Sequence, residues 1–463
     1  MEAASPILDS ELISETPVPV LERKLFIFAL LVTIILLAGS ICIWFSRFDI
    51  RQNQLNYTGI LTPTPNEAKV VEQVLATLPP ENPQILYTIV SDPENLTVAY
   101  TIDAYTDTAS GSSTVVFNNR AEKKYPQTSD LIVSPDGKHA AYIVTDGNKQ
   151  FVVWDGAEGK RYDYIKNLKF SPDSHHVAYA AGDNKHLVPD GRFVAFDETS
   201  TFFIVVDTAE GKKYDGYYAG TNLPDNYDPF FSWDGTKVTY GAIKSGKNIV
   251  VDDTQELSGY ISQQYPKFIG NSYDIAYIAY DGKRAFAVVA DQKQSPHDYI
   301  GTAYTDRPMI YVGKDASQIA YEANDNNISS VIANDMSYPI SGALSNLVFS
   351  KSGKYVAYFL GSELFINGKD ISISPPFINP LVGDLVISPD EKVLAYSMSD
   401  QVNHSVLIRL YATETSKSYY FRLPDYKGTG ALKFSSDSGS IYFKAVKNRN
   451  IIFVTLNVNQ IMK

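Results

Sequence analysis

The sequence has one cysteine in 463 residues, Cys42, and it lies inside the only long apolar run. Everything after it is thiol-free, which excludes disulfides, cysteine-ligated zinc and a cysteine nucleophile from that region. Histidine is scarce as well, at six. His175 and His176 are adjacent on an expected strand and would face opposite sides, so they cannot grip one ion. His186, His297 and His404 have no partner at ligand spacing. No run of clustered Lys/Arg occurs, and 52 acidic against 40 basic side chains leave a net charge of −12. Such a balance repels phosphate backbones and argues against nucleic acid as a partner. Gly-x-Ser-x-Gly is missing too, which excludes a nucleophile-elbow hydrolase. No catalytic residue, metal ligand or cofactor site is assigned on these grounds.

What is present begins with a membrane signal. Residues 25–45, LFIFALLVTIILLAGSICIWF, are 21 uncharged positions, which as a helix would reach about 30 Å, the thickness of a bilayer's hydrocarbon core. The apolar run continues past Ala38 and Ser40, too far for a cleavable signal peptide, so an uncleaved single-pass anchor is expected. Residues 1–24 read as a disordered cytoplasmic tail, and the large C-terminal region is expected outside the cytoplasm. Residues 46–84 read as a linker with a short helix. Thr64 and Glu67 have capping-box spacing, Pro65 suits the first helical turn, and Val70, Val71, Val74, Leu75 and Leu78 recur at helical spacing before Pro79 and Pro80.

From residue 85 to 463 the chain repeats itself. Nine phrases line up: DPENLTVAY ending at Tyr100, SPDGKHAAY at Tyr142, SPDSHHVAY at Tyr179, SWDGTKVTY at Tyr240, IGNSYDIAY at Tyr277, GKDASQIAY at Tyr321, SKSGKYVAY at Tyr358, SPDEKVLAY at Tyr396 and SSDSGSIYF at Phe443. The third position is Asp in six copies and Glu94, Asn271 or Ser352 in the others, all able to hydrogen-bond a turn's backbone. A second element, such as FVVWDGAEGKRYDYI from 151 and FIVVDTAEGKKYDGY from 203, reads as a third strand, tight turn and fourth strand. A four-stranded meander of about forty residues cannot bury both faces alone and must stack on its neighbours, so the expected fold is an all-β propeller of eight or nine blades. The last unit lacks an obvious fourth strand, and an N-terminal strand around NYTGIL, 56–61, is a candidate to close the ring. A tenth near-match, VPDGRFVAF at 188–196, follows Tyr179 too soon for a blade and reads as an extra hairpin in the third.

The SPDG-x-x-x-A-Y phrases resemble the WD40-like repeat of the TolB-type propellers across nearly the whole region after residue 85. The resemblance implies a rigid presenting surface and no one activity. The expected function is a membrane-tethered, extracytoplasmic propeller that binds a protein or a cell-envelope component. The alternative is an enzyme or small-molecule sensor using acidic residues in the central channel. Candidate contact residues lie in the third-blade hairpin, His186, Arg192 and Phe193, and in the following loop, Tyr217, Tyr218, Asp225, Tyr227 and Asp228. The acidic stretches 222–230 and 322–330 could offer oxygen ligands to calcium, but neither has the spacing of a known loop.

Overall fold

The structure is a computed structural model and describes residues 70–78, 96–104, 112–183, 186–187, 194–195, 201–215, 228–301, 310–342, 344–372, 381–400, 405–423 and 426–462. The expected anchor, 25–45, lies outside them, as does the 56–61 stretch. Among the described residues no helix is long and apolar enough to cross a membrane.

Nine antiparallel sheets follow one another in chain order: blade 1 (99–125), blade 2 (127–158), blade 3 (164–215), blade 4 (230–256), blade 5 (262–293), blade 6 (299–339), blade 7 (344–370), blade 8 (381–423) and blade 9 (426–457). Each is a meander whose first strand lies innermost, except that the described part of blade 1 begins with its second strand, Ala99–Ala104. This is a nine-bladed β-propeller, and the third blade carries the expected extra hairpin, His186–Leu187 against Val194–Ala195. Hydrophobic clusters sit at the seams between sheets, as where Ala141, Ile143 and Val152 of blade 2 meet Leu168, Val177, Tyr179 and Phe203 of blade 3. Ala99, Ala141, Ala178, Ala276, Ala320, Ala357 and Ala395, the alanines of the repeated phrase, are fully buried in those seams. A methyl group there lets two sheets approach closely.

The repeated phrase itself is a turn between the first and second strands. In blade 2 the Ser134 hydroxyl donates to Asp136 Oδ1 at 2.6 Å and accepts from the His139 amide at 3.0 Å, while Asp136 Oδ1 accepts from the Lys138 amide at 3.1 Å. The same three bonds recur at Ser171/Asp173, Ser232/Asp234, Ser388/Asp390 and Ser435/Asp437. These turns also join blade to blade. Thr97 Oγ1 donates to Gly137 O (2.8 Å), the Asp136 amide to Ser174 Oγ (3.0 Å), Tyr273 Oη to Asp234 Oδ2 (2.5 Å), Gln318 Nε2 to Lys351 O (3.2 Å), Ser352 Oγ to Glu391 Oε2 (2.7 Å) and the Asp390 amide to Ser438 Oγ (3.1 Å). At the two remaining internal seams glycine permits the contact. A side chain on Gly235 would strike Asp173, and one on Gly270 would strike the Lys314 carbonyl.

The helix expected over Val70–Leu78 is not formed. Val70–Thr77 is a strand, the outermost of blade 9, paired antiparallel with Asn450–Asn457 from Val70↔Leu456 to Thr77↔Asn450. The last repeat supplies only three strands and leaves one open edge, and the segment that fills it gains a ladder of backbone hydrogen bonds that outweighs its helical spacing. Glu72 accepts from Tyr426 Oη and, at 2.8 Å, from Lys447 Nζ. Arg449 and Leu78 exchange bonds at 2.6 and 2.8 Å, and the Lys444 ammonium reaches the Thr97 carbonyl across the closing seam.

Two predictions follow from this core. In a packed helix Val71 and Val74 would face inward, whereas here they are 54% and 57% exposed and Leu78 is fully buried. Val71→Asp and Val74→Asp should each change stability by less than about 1 kcal/mol, and Leu78→Ala should cost about 2–4 kcal/mol, measured by urea unfolding. The reverse order would contradict the strand. Glu322 is 2% exposed with neither carboxylate oxygen hydrogen-bonded, and burial raises its pKa from 4.5 to about 7. The folded chain thus keeps a proton that the unfolded chain releases, so stability falls as pH rises from 4.5 to 7. Glu322→Gln should show little gain over the parent near pH 5 and a gain of up to about 3 kcal/mol near pH 8; an equal difference at both would contradict the buried acid.

Candidate functional site

In a meander, the second-to-third and fourth-to-first connections lie at one face of the ring and the first-to-second and third-to-fourth turns at the other. Four long connections, Ala104 to Ser112, Asp183 to Thr201, Asp215 to Phe230 and Asp370 to Leu381, belong to the first face, while Ile300 to Ile310 interrupts the inner strand of blade 6. Both expected contact loops therefore start and end on the same face. His186 is placed on the hairpin's first strand. Arg192, Phe193, Tyr217, Tyr218, Asp225 and Tyr227 lie outside the described residues, and Asp228 lies inside them.

Asp228 leads to the channel. The innermost strands carry a repeated β-bulge, with register shifts at Ser129/Ile132, Gln264/Lys267, Ser345/Val348 and Val382/Leu385. Four residues before each turn's first position stand Asp130, Asn167, Asp228, Tyr265, Asn346 and Asp384. Asp130, Asn167, Tyr265 and Asn346 have φ of 49°, 57°, 55° and 49°, a left-handed conformation that Asn and Asp accept readily and a bulky ring does not. This tier is polar. It includes three carboxylates.

Two residues further along each inner strand is a second tier. Blades 2, 7 and 8 place Ile132, Val348 and Val386 there and blade 9 places Lys433, whereas the consecutive blades 3, 4, 5 and 6 place Lys169, Phe230, Lys267 and Tyr311. These four alternate cation and ring. Lys169 Nζ lies 3.8 Å from the centroid of Phe230, and Lys267 Nζ lies 5.4 Å from Phe230 and 5.7 Å from Tyr311. Such separations give cation–π attraction. Lys169 is also paired with Asp228 at 2.7 Å.

Lys267 has no ion-pair or hydrogen-bond partner among the described residues. Burial pushes its ammonium below the ordinary lysine range and the like charge of Lys169 adds to this, with Asp228 acting in the opposite direction. Its side chain remains partly accessible, as a group facing a channel should. Tyr311 is raised by burial and by Glu322. Sequence reading missed this row because the alignment of phrases began at the turn; extending it two residues upstream exposes Lys, Phe, Lys and Tyr in four consecutive blades, with a further lysine, Lys433, in blade 9.

Three of the six histidines are held by aspartates of neighbouring turns. His139 Nδ1 lies 2.6 Å from Asp155, His176 Nδ1 2.8 Å from Asp207 and His297 Nδ1 2.7 Å from Asp325. Asp155 and Asp207 belong to the turn between third and fourth strands, and each also accepts from the amide opening its blade's second strand. These pairs fasten a blade's turns. Among the described residues no group of three or more His, Cys, Asp or Glu side chains is placed to hold a metal.

No family model matches the chain, and no curated protein matches it. Among solved structures it is similar to a eukaryotic initiation factor, at 12% identity and TM-score 0.45 over 74% of this chain and 90% of that one. It is also similar to the dihydro-heme d1 dehydrogenase NirN in complex with DHE, at 12% identity and TM-score 0.39 over 83% and 78%. A third likeness is to the Cps50 (Swd1) β-propeller domain of Myceliophteria thermophila, at 11% identity and TM-score 0.31 over 68% and 98%. At such identities a likeness concerns the fold alone, and it is the nine sheets of this chain that establish the nine-bladed propeller.

Proposed function

We propose that this chain is a membrane-tethered binding or scaffold propeller, anchored by residues 25–45 and displayed outside the cytoplasm, that captures a protein or a cell-envelope component. The SPDG-type phrases place it beside the TolB-type propellers in this reading. The observation that carries it is the gathering of four long connections on one face while the opposite face is built of short turns. A rigid ring that varies only at one rim is suited to recognition, since loops on a fixed scaffold can change without disturbing the core. The third-blade hairpin and the 215–230 connection are the working surface, with His186, Arg192, Phe193, Tyr217, Tyr218, Asp225 and Tyr227 as contacts. Asp228 anchors the inner end of that connection through Lys169.

A second reading, small-molecule sensing or catalysis in the channel, is favoured by the uneven second tier. Carboxylates at Asp130, Asp228 and Asp384 and the raised pKa of Glu322 supply acid groups for it. The two readings separate in one experiment. Full-length protein crosslinked in its native membrane should yield one reproducible partner by mass spectrometry, and removal of residues 184–200 should abolish that capture while leaving the melting temperature unchanged. Undiminished capture by the folded deletion would refute the working surface assigned here, and absence of any partner would favour the channel.

A further inference from the structure

We infer that the blade 3 to blade 6 sector of the channel binds the anionic group of a small molecule, a carboxylate or a phosphate, with Lys267 as the primary contact and Lys169 as its support. The inference deepens the second reading above and does not depend on partner capture at the rim.

The first argument is comparative within the molecule. Blades 2 to 9 have their inner strands among the described residues, and Ile132, Val348 and Val386 show that an aliphatic side chain serves the packing at this position. An ammonium there loses hydration, and the ring faces of Phe230 and Tyr311 offset only part of that loss. Lys169 offsets that loss with Asp228 at 2.7 Å, whereas among the described residues Lys267 has no carboxylate at ion-pair distance and feels Asp228 only from further away. Two lysines and one aspartate leave a net charge of +1 on this wall of a chain that carries −12 overall. An anion brought to Lys267 would complete the charge pair in a site of low dielectric, where such a pair is worth more than on an open surface.

The second argument is conformational. Tyr265, two residues before Lys267 on the same strand, has φ of 55° and is followed by Pro266. Aspartate or asparagine fills the same position in blades 2, 3, 4, 7 and 8, and in blades 2, 3 and 7 it takes the same left-handed conformation, which those residues accept readily. A tyrosine in that conformation, ahead of a proline that disfavours it further, opposes local preference. Blade 5 thus combines, within three residues of one inner strand, a tyrosine in the left-handed conformation with a lysine that has no ion pair among the described residues. The rings of Phe230 and Tyr311 hold the ammonium by their faces, and their edges, which are electropositive, do not repel an anion.

The rings also set the size of the ligand group. They flank Lys267 on two sides, so a compact, planar or tetrahedral anion fits better than a polyanionic chain.

The test uses the full-length protein in detergent, titrated calorimetrically with succinate and, separately, with inorganic phosphate. Sodium chloride at equal ionic strength and neutral succinamide serve as controls, and melting temperature is followed in parallel. The expected result is saturable binding of at least one of the two anions, with a rise in melting temperature that neither control reproduces. Which anion saturates identifies the carboxylate or the phosphate. Lys267→Met should weaken binding at least tenfold, Lys169→Met should weaken it less, and Lys267→Arg should retain it. Without ligand, Lys267→Met should melt no lower than the parent, because it removes an uncompensated ammonium and keeps the stem. Binding unaltered in Lys267→Met, no saturation by either anion, or an equal effect of chloride would each overturn the assignment. A Lys267→Met protein that melts well below the parent would show a structural role instead.

Discussion

The structure rests on the pairing of Val70–Thr77 with Asn450–Asn457. A propeller is a stack bent until its first and last sheets meet, and each sheet covers its faces with two neighbours. If the ring opens, two sheet faces and one strand edge are exposed together, which is a far larger loss than one strand's hydrogen bonds. Joining the chain's early and late segments in one sheet ties this opening to the unfolding of blade 9. Glu72, clasped by Tyr426 and Lys447, fixes the register of that sheet.

A repeated arrangement on the outer strands echoes the Glu72 clasp. Glu158 accepts from Lys123 at 2.5 Å and Tyr125 at 3.1 Å, and Glu210 from Lys160 at 2.6 Å and Tyr162 at 2.9 Å. In each case a lysine and a tyrosine two residues apart in one blade hold a glutamate of the next. With the Ser-x-Asp turns near the axis, the blades are therefore fastened at two radii. The outer lysine contacts are exposed and contribute little individually, so the buried seams carry the stability and the polar bonds set the angle between sheets.

Much of this was legible in the sequence, and the reasons differ by element. The Ser-x-Asp turns were readable because a local hydrogen-bond pattern demands the same residue types each time it recurs. The extra hairpin of blade 3 was readable from spacing alone. Val70–Leu78 misled because its apolar residues fit a helix and the preceding residues fit a cap, while the open strand edge that captures it lies some 380 positions away in sequence. Closure is a nonlocal constraint, and local periodicity does not report it. Of the candidate site, Asp228 was singled out as a loop residue and proves to be the inner partner of Lys169. Lys267 carries no motif, and its lack of a partner exists only once four blades are side by side. Glu322 sits in the slot after the Ala-Tyr pair, where Ile143, Ala180 and Phe359 stand in other blades, and nothing in its immediate neighbours marks it as buried without a hydrogen bond.

The closing strand also offers the most direct test of the whole arrangement. In a chain whose Cys42 is replaced by serine, Thr77→Cys with Asn450→Cys places two thiols at a paired position of the ladder, within the geometry a disulfide requires. Under mild oxidation the account predicts near-complete intramolecular crosslinking, read as a mobility shift on non-reducing gels, and a higher melting temperature. A mismatched pair, Gln73→Cys with Asn450→Cys, should crosslink poorly. No crosslink in the first pair, or equal crosslinking in both, would contradict a ring closed by Val70–Thr77 in this register.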